Sequence, residues 1–577
     1  MYLCYALGSP EWASQMNDMT DAPRAKLSHN EELKAASPTL AGTISAALAD
    51  SASDRFSDDD GEFLKFHGIY QSDDRDRRKT GKHYIFLVRA RVPGGIMPPE
   101  HYLTYDRLAS QFGNNSLRLT SRQTLQLHGV VKSGLGPVMR AIHESLATTL
   151  AACGDVARNV MAPPTPATSS LVEEVQADAR RVSDALLPLA PAYHQIWLEG
   201  HELNLQDEAA KSFVDPLYGR TYLPRKFKIA FAIPPLNDVD VFTHCLGFVA
   251  IVEQERLAGY SLLAGGGLGM SFGNAETYPR LAEQVGFVPR EQVVAAARAA
   301  LTIHRDFGDR TNRKHARLKY LLQEKGLEWF RSQLEDRLGF KLQPARRFEF
   351  SGQGDRFGWH RQADGSYFLG LYVENGRIKD TDHCQMKTAL RAVIERFVSE
   401  VRLTPSQNLL LANVADADRE PITRMLAEHG VRVEHQATAI RRSAMACPSL
   451  PTCGRALAEA ERAFPDLLKR VEQLLHEAGL EEEEIIIRMT GCPNGCVRPL
   501  LAEIGLVGKA PNKYHLYLGG NHASTRLNQL FKESLKPAEL VSELRPLFMR
   551  FARERNAGER FGDFCQRVIL EGRRAAN

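Results

Sequence analysis

The feature that most restricts the fold is an internal repeat. Residues 117–125 read LRLTSRQTL and residues 401–409 read VRLTPSQNL. Arg118, Thr120, Gln123 and Leu125 recur as Arg402, Thr404, Gln407 and Leu409, each 284 positions on (402 − 118 = 284; 409 − 125 = 284). Each copy follows a strand-like and then a helix-like stretch, YIFLVRARV and HYLTYDRLASQF in the first, YFLGLYVENGRI and MKTALRAVIERF in the second. Period-2 alternation of β-branched and aromatic residues marks the strands, and apolar residues three or four apart mark the helices. Coincidence between two amphipathic strands is the plainer reading of the matched residues alone. The shared order of elements favours a duplicated β-α-β half, and two such halves facing one another enclose a cleft suited to a ligand.

At 577 residues the chain exceeds one hydrophobic core, and ~150 residues per domain implies three or four units. With 43% hydrophobic and 25% charged residues, and no apolar run long enough to cross a bilayer, no membrane span is expected. The opening MYLCYALGSPEWASQ lacks a basic region and a small-residue cleavage site, so it does not read as a signal peptide and the expected location is the cytoplasm. Met19 begins a more ordinary sequence, which makes residues 1–18 a tail or an upstream start. Residues 20–60, ending in SDDDGE, read as a loosely attached arm, with order expected from FLKFHGIY onward. A net charge of +3 argues against a nucleic-acid protein held by phosphate contacts.

Nine cysteines in a long chain are not a disulfide framework. Four of them form pairs, Cys447 and Cys453 in ACPSLPTCG and Cys492 and Cys496 in MTGCPNGCVRP. The pattern is C-x5-C, then C-x3-C after 39 positions (492 − 453 = 39). Structural zinc knuckles usually space their thiols by two or four residues, and redox disulfides by two. A 4Fe-4S cluster needs four thiolates on separate irons, which suits the wider spacing; zinc and a disulfide remain the other readings. Gly491, Pro493 and Gly495 fit tight turns that aim backbone amides at sulfur. Cys4, Cys153, Cys245, Cys384 and Cys565 are isolated and read as small buried hydrophobes.

Arg118, Arg122, Gln126 and His128 alternate along LRLTSRQTLQLHG, which places them on one face of a strand. The second copy lacks the His and the second Arg and reads as the structural half. Taken singly, His128 reads as a satisfied structural histidine, and Arg89, Arg158, Lys226 and Lys228 as solvated strand-edge charges. AGGGLG at 264–269 fits a tight turn and matches neither G-x-G-x-x-G nor a P-loop; GQGDRFG at 352–358 misses by one residue. RALAEAERAFPDLLKRVEQLLHEAGL reads as one helix and YHLYLGG as a closing strand.

The two cysteine motifs, LAEIGLVGKAPNKYHLYLGG, FHGIYQSDDRDRR, LRLTSRQTLQLHG and YLPRKFK together resemble the hemoprotein (beta) subunits of assimilatory NADPH-dependent sulfite reductases, within the siroheme and 4Fe-4S sulfite and nitrite reductases. The likeness runs from about residue 28 to GERFGDF at 558–564. It implies an α+β, multidomain fold with pseudo-twofold duplication of ferredoxin-like half domains and two siroheme/iron-sulfur reductase domains around a central cofactor cleft. The implied boundaries are an N-terminal arm, partly disordered, at 1–60; half domains at 61–150 and 346–425; and reductase domains at 151–345 and 426–577.

By the same resemblance Cys447, Cys453, Cys492 and Cys496 ligate one 4Fe-4S cluster, and Cys496 is also the axial bridge to one siroheme. Arg118, Arg122, Gln126, His128 and Asn494 are implied cofactor contacts; Arg89, Arg158, Lys226 and Lys228 face the substrate, sulfite. Siroheme carries eight carboxylates, and the reduction needs protons with its six electrons, so cations and proton donors have a role there. No nicotinamide or flavin motif is present, so NADPH, FAD and FMN belong to a flavoprotein (alpha) partner in a hetero-oligomer. Ala157 and Leu125 depart from the residues common in the family, which touches local siroheme contacts. Nitrite reduction, a ferredoxin donor and, remotely, a non-catalytic zinc or iron-sulfur RNA-binding protein are the competing readings.

Overall fold

In a computed structural model, residues 26–166, 170–189, 196–198, 201–203 and 213–571 are described. The repeat builds two five-stranded sheets that complete one another. The first has the order Ile69–Asp73, Tyr84–Arg89, Leu125–Val130, Leu117–Leu119, and ends on Arg377–Ile378 from the second half. The other has the order Gly358–Arg361, Tyr367–Leu371, Leu409–Val414, Glu400–Leu403, and ends on Ile96–Met97 from the first half. Thus Arg377 pairs with Arg118, and Ile96 with Arg402. Close approach at both crossings requires glycine. A Cβ on Gly95 (φ +79°) would lie 2.4 Å from the Leu403 carbonyl oxygen, and one on Gly376 (φ +70°) 2.8 Å from that of Leu119.

Helices Pro99–Gln111 and Met386–Phe397 cover these sheets. Tyr102, Tyr105 and Leu108 of one and Leu390, Val393 and Ile394 of the other enter a shared core with Val88, Leu127, Leu369 and Leu411. Burial of each such aliphatic side chain contributes about 1.5–3 kcal/mol.

Two further sheets show a second duplication. Ile229–Ala232 runs parallel to Leu246–Glu253, followed by antiparallel Arg256–Ala264 and Glu283–Pro289. Ile487–Thr490 runs parallel to Ile504–Ala510, followed by antiparallel Lys513–Leu518 and Gln529–Leu535. The registers Ile229 with Leu246 and Ile487 with Ile504 are equivalent at an interval of 258 (487 − 229 = 504 − 246 = 258). Each sheet packs helices on its own core, such as Val293–Phe307 in one and Phe464–Glu477 and Pro537–Glu554 in the other. Among the described residues no helix is long and apolar enough to cross a membrane.

Three sequence expectations are corrected. Order does not begin at FLKFHGIY: helices His29–Ala36 and Ile44–Ala49 precede it, and the first is fastened to the body. Lys34, 3% exposed, donates to the Leu223 carbonyl (2.7 Å) and pairs with Glu31 (2.5 Å), which also meets Arg310. This attachment uses buried ions, so no apolar periodicity announces it. The helix read from residue 455 starts at Phe464, with Pro465 in its first turn, and residues 453–463 form turns. YHLYLGG is followed by another strand, Gln529–Leu535, so it does not close its sheet. Residues 1–25, including Cys4 and the tail or start at 1–18, lie outside the described residues.

Candidate active site

The thirteen side chains singled out above line one cavity of about 400 Å³. Arg118, Arg122, Gln126 and His128 reach it from a hairpin, and Arg122 lies off the strand face expected to carry all four. Strands Leu117–Leu119 and Leu125–Val130 pair Arg118 with Gln126, and Arg122 lies in the turn between them. Gln126 also pairs across its other edge with Arg89. Arg89, Gln126 and Arg118 therefore form a row across three strands, with His128 two residues further along the same face. Turned so that both ends of its amide are satisfied, Gln126 donates to His128 Nε2 (3.0 Å) and accepts from Arg89 Nε (2.6 Å). His128 Nδ1 then carries the proton and is buried without a partner among the described residues. Burial, then Arg377, holds His128 well below the usual imidazole range.

A bank of cations faces this row. Phe227 is fully buried and sends Lys226 and Lys228, its neighbours along an extended segment, to the opposite side, into the cavity. Burial, and then Arg158, Arg317 and Lys228, lowers Lys226 well below the ammonium range. Burial, and then Arg122, Arg317 and Arg158, does the same to Lys228. Arg122 is brought to about 9 by burial and the nearby Arg158 and Arg498. Arg158 donates to the Gly154 carbonyl (3.0 Å), and Arg89 to Cys153 Sγ (3.2 Å). At an effective dielectric of about 20, two like charges about 6 Å apart repel by roughly 3 kcal/mol. By contrast Arg118, also buried, has a counter-ion: Glu461 lies 2.9 Å away, and Arg118 with Arg377 holds its carboxyl at about 2 against the effect of burial.

The thiols come from the adjoining sheet. Cys447 follows strand Met445–Ala446 and Cys492 follows Ile487–Thr490, parallel neighbours that pair Ala446 with Met489. The Gly491 amide donates to Cys447 Sγ (3.3 Å), and Asn494 Nδ2 to Cys496 Sγ (3.2 Å). Gly491 has no room for a side chain, since a Cβ would lie 2.5 Å from the Ala458 carbonyl oxygen; Gly495 adopts φ +66°. Burial pushes the Cys492 thiol up to about 12 and raises Cys447 and Cys453. Thiolates there need a cationic partner. Among the described residues no three His, Cys, Asp or Glu side chains converge on a position for one metal ion. Tetrahedral zinc gathers its thiolates on one ion, whereas the irons of a cubane each take one thiolate. All eight described cysteines are free, which leaves the disulfide reading without support; Cys153, Cys245 and Cys565 are buried as expected, and Cys384 is partly exposed.

Sequence reasoning missed Tyr70, Arg225 and Arg317, which line the same cavity. Arg225 is the first residue of the RKFK motif, and Arg317 stands in a cation-rich helix entrance, NRKHARLK, a signal that was available. It also gave AGGGLG too small a role. Gly269 lies against Asn494, the Met270 amide donates to the Pro493 carbonyl (3.1 Å), and Lys319 donates to the Gly267 and Gly269 carbonyls (3.1 and 3.0 Å). The turn thus backs the cysteine loop.

Residues 177–342 match the nitrite and sulphite reductase 4Fe-4S domain, and residues 77–145 and 360–429 match the nitrite/sulfite reductase ferredoxin-like half domain. The sulfite reductase (NADPH) hemoprotein beta-component of Staphylococcus haemolyticus is 46% identical, covering 96% of this chain and 97% of its own length. That of Myxococcus xanthus is 47% identical, covering 94% and 96%. The Mycobacterium tuberculosis NirA protein has a similar fold, with a TM-score of 0.76 at 23% identity over 95% of this chain and 98% of its own. Two matched half-domain copies around one cavity, together with near-full-length identity to these relatives, place the chain in the nitrite and sulphite reductase family, among the NADPH sulfite reductase hemoprotein beta-components.

Proposed function

We propose that the protein is the hemoprotein component of an NADPH-dependent sulfite reductase and reduces sulfite to sulfide with six electrons. The observation that carries this reading is that four free cysteines share one cavity with Arg122, Arg158, Lys226 and Lys228, which have no ion-pair partner among the described residues. The orphaned nitrogens of Arg118, Arg122, His128 and Arg317 call for a polyanion, and siroheme is one. Siroheme and a 4Fe-4S cluster, when bound, supply the electron path and the iron at which sulfite is reduced. Cys447, Cys453, Cys492 and Cys496 would hold the cluster, and Cys496, the exposed one of the four, would also meet siroheme. Arg118, Arg122, Gln126 and His128 bind macrocycle carboxylates, and Asn494 steadies the Cys496 sulfur.

Arg89 and Arg158 grip the sulfite oxygens through paired N–H donors. Lys226 and Lys228 sit where an arriving anion offsets the burial and like-charge repulsion that lower their proton affinity, so both can hold sulfite and hand on protons as oxygen leaves as water. Electrons come from NADPH through a flavoprotein partner carrying FAD and FMN, and the assembly is cytoplasmic. The test is a spectrum of the purified protein with iron and acid-labile sulfide assays, followed by turnover of sulfite and nitrite with flavoprotein and with ferredoxin. Tetrapyrrole absorption and preferential sulfite turnover with the flavoprotein are expected. Colourless protein, or faster and tighter nitrite reduction, overturns the reading.

A further inference from the structure

Two equivalent residues of the second duplication meet at the centre of the molecule. Asp240 and Arg498 are 258 apart (498 − 240 = 258), the interval that relates their sheets. Both have left-handed backbones, φ 52° and 57°, and each precedes one short 3-10 turn, Val241–Thr243 and Pro499–Leu501. They bond to each other: Arg498 Nε donates to Asp240 Oδ2, which also accepts from Arg488 Nη1 (2.7 Å). All three residues are buried, at 0% exposure for Asp240, 6% for Arg498 and 1% for Arg488. The other nitrogens of Arg498 reach one carbonyl in each copy of the first repeat, Nη1 to Ser121 (2.7 Å) and Nη2 to Pro405 (3.2 Å). Ser121 and Pro405 are themselves equivalent (405 − 121 = 284). One guanidinium therefore joins both copies of both duplications.

This junction lies beside Cys496. The Arg498 amide donates to the Gly495 carbonyl (3.0 Å), closing the turn that contains Cys496, and Ser121 Oγ donates to the Cys496 carbonyl (2.7 Å). Arg488 stands on the strand that leads into Cys492, so the Asp240 carboxylate fixes both arms of the cysteine loop. A buried ion pair is a weak source of stability, but the planar fork of arginine fixes direction. We propose that Arg498 and Asp240 are positioning residues that hold the Cys496 sulfur where it can meet the cluster and siroheme together, an inference that rests on the function proposed above.

The test uses the holoenzyme of Arg498→Lys, Asp240→Asn and Ser121→Ala, with the wild type beside them. Lysine keeps the charge but cannot present three donors in one plane. Arg498→Lys and Asp240→Asn are expected to retain iron, labile sulfide and siroheme. They should lose the magnetic coupling between the two groups, read by low-temperature EPR or Mössbauer spectroscopy, and about 10- to 100-fold in kcat, with KM for sulfite unchanged. Wild-type coupling and kcat in Arg498→Lys overturn the inference, because charge balance alone would then suffice. Ser121→Ala removes only the hydroxyl on the Cys496 carbonyl and keeps the fold testable if the other two do not assemble; a reduced coupled fraction supports the inference and an unchanged one overturns it. Wild-type protein without iron, labile sulfide or tetrapyrrole absorption would instead overturn the proposed function.

Discussion

The two copies of the first repeat share a backbone and differ in what that backbone faces. In the first, Arg118, Arg122, Gln126 and His128 line the cavity. The equivalent positions of the second, at the same interval of 284, are Arg402, Ser406, Leu410 and Ala412. Leu410 and Ala412 are buried against Phe368, and Arg402 points away to Glu400 (2.6 Å) and Glu173 (3.2 Å). Gln123 and Gln407 keep matching left-handed conformations, φ 53° and 70°, so the hairpin turn persists where the chemistry does not. One fold thus carries a hairpin that turns a polar strand face to the cavity and another whose strands face apolar neighbours and whose turn reaches the cavity at Gln407.

Exchanging residues between the copies breaks or sharpens this contrast. Arg122→Ser installs the second copy's residue at a buried cation, and steady-state sulfite reduction should fall about 10²- to 10³-fold while iron and labile sulfide content persist. In the reverse direction, Ala412→His places an imidazole in a sealed apolar site. Overpacking and an unsatisfied ring nitrogen should cost about 2–4 kcal/mol by denaturant unfolding, with turnover per folded molecule unchanged.

A third test uses pH. His128 is held below its ordinary value of 6.5, first by burial and then by Arg377, so the unfolded chain binds more protons than the folded one as pH drops beneath 6.5. Stability of the cofactor-free protein should therefore fall by up to about 1.4 kcal/mol per pH unit in that window. His128→Asn should remove this component of the slope in acid unfolding measured by circular dichroism. The smallest effect is expected from Arg402→Met, about 1 kcal/mol in thermal or denaturant unfolding, because Glu173, one of its carboxylate partners, is largely exposed.

The first duplication was legible because its strands kept an identical spacing of Arg, Thr, Gln and Leu. The second was not visible residue by residue, since Asp240 and Arg498 are equivalent in backbone yet opposite in charge. The four cysteines were legible by type and spacing, as were RKFK and the polar hairpin. The N-terminal helix was not, because its anchor is the Lys34–Glu31 pair meeting the Leu223 carbonyl 189 residues away. Arg122 was assigned to a strand because alternation alone cannot distinguish a straight strand from a hairpin whose turn preserves the same parity.

The traded strands at the ends of the two repeat sheets also have a consequence in time. Leu117–Leu119 finds its last partner only when Arg377 has been synthesised, 258 residues after Leu119 (377 − 119 = 258). At about 5–20 residues per second that delay is roughly 13–50 s on the ribosome. During it the nascent first half presents a strand with open backbone donors and acceptors, which makes this interval the point at which a chaperone would protect the chain and a truncated product would aggregate.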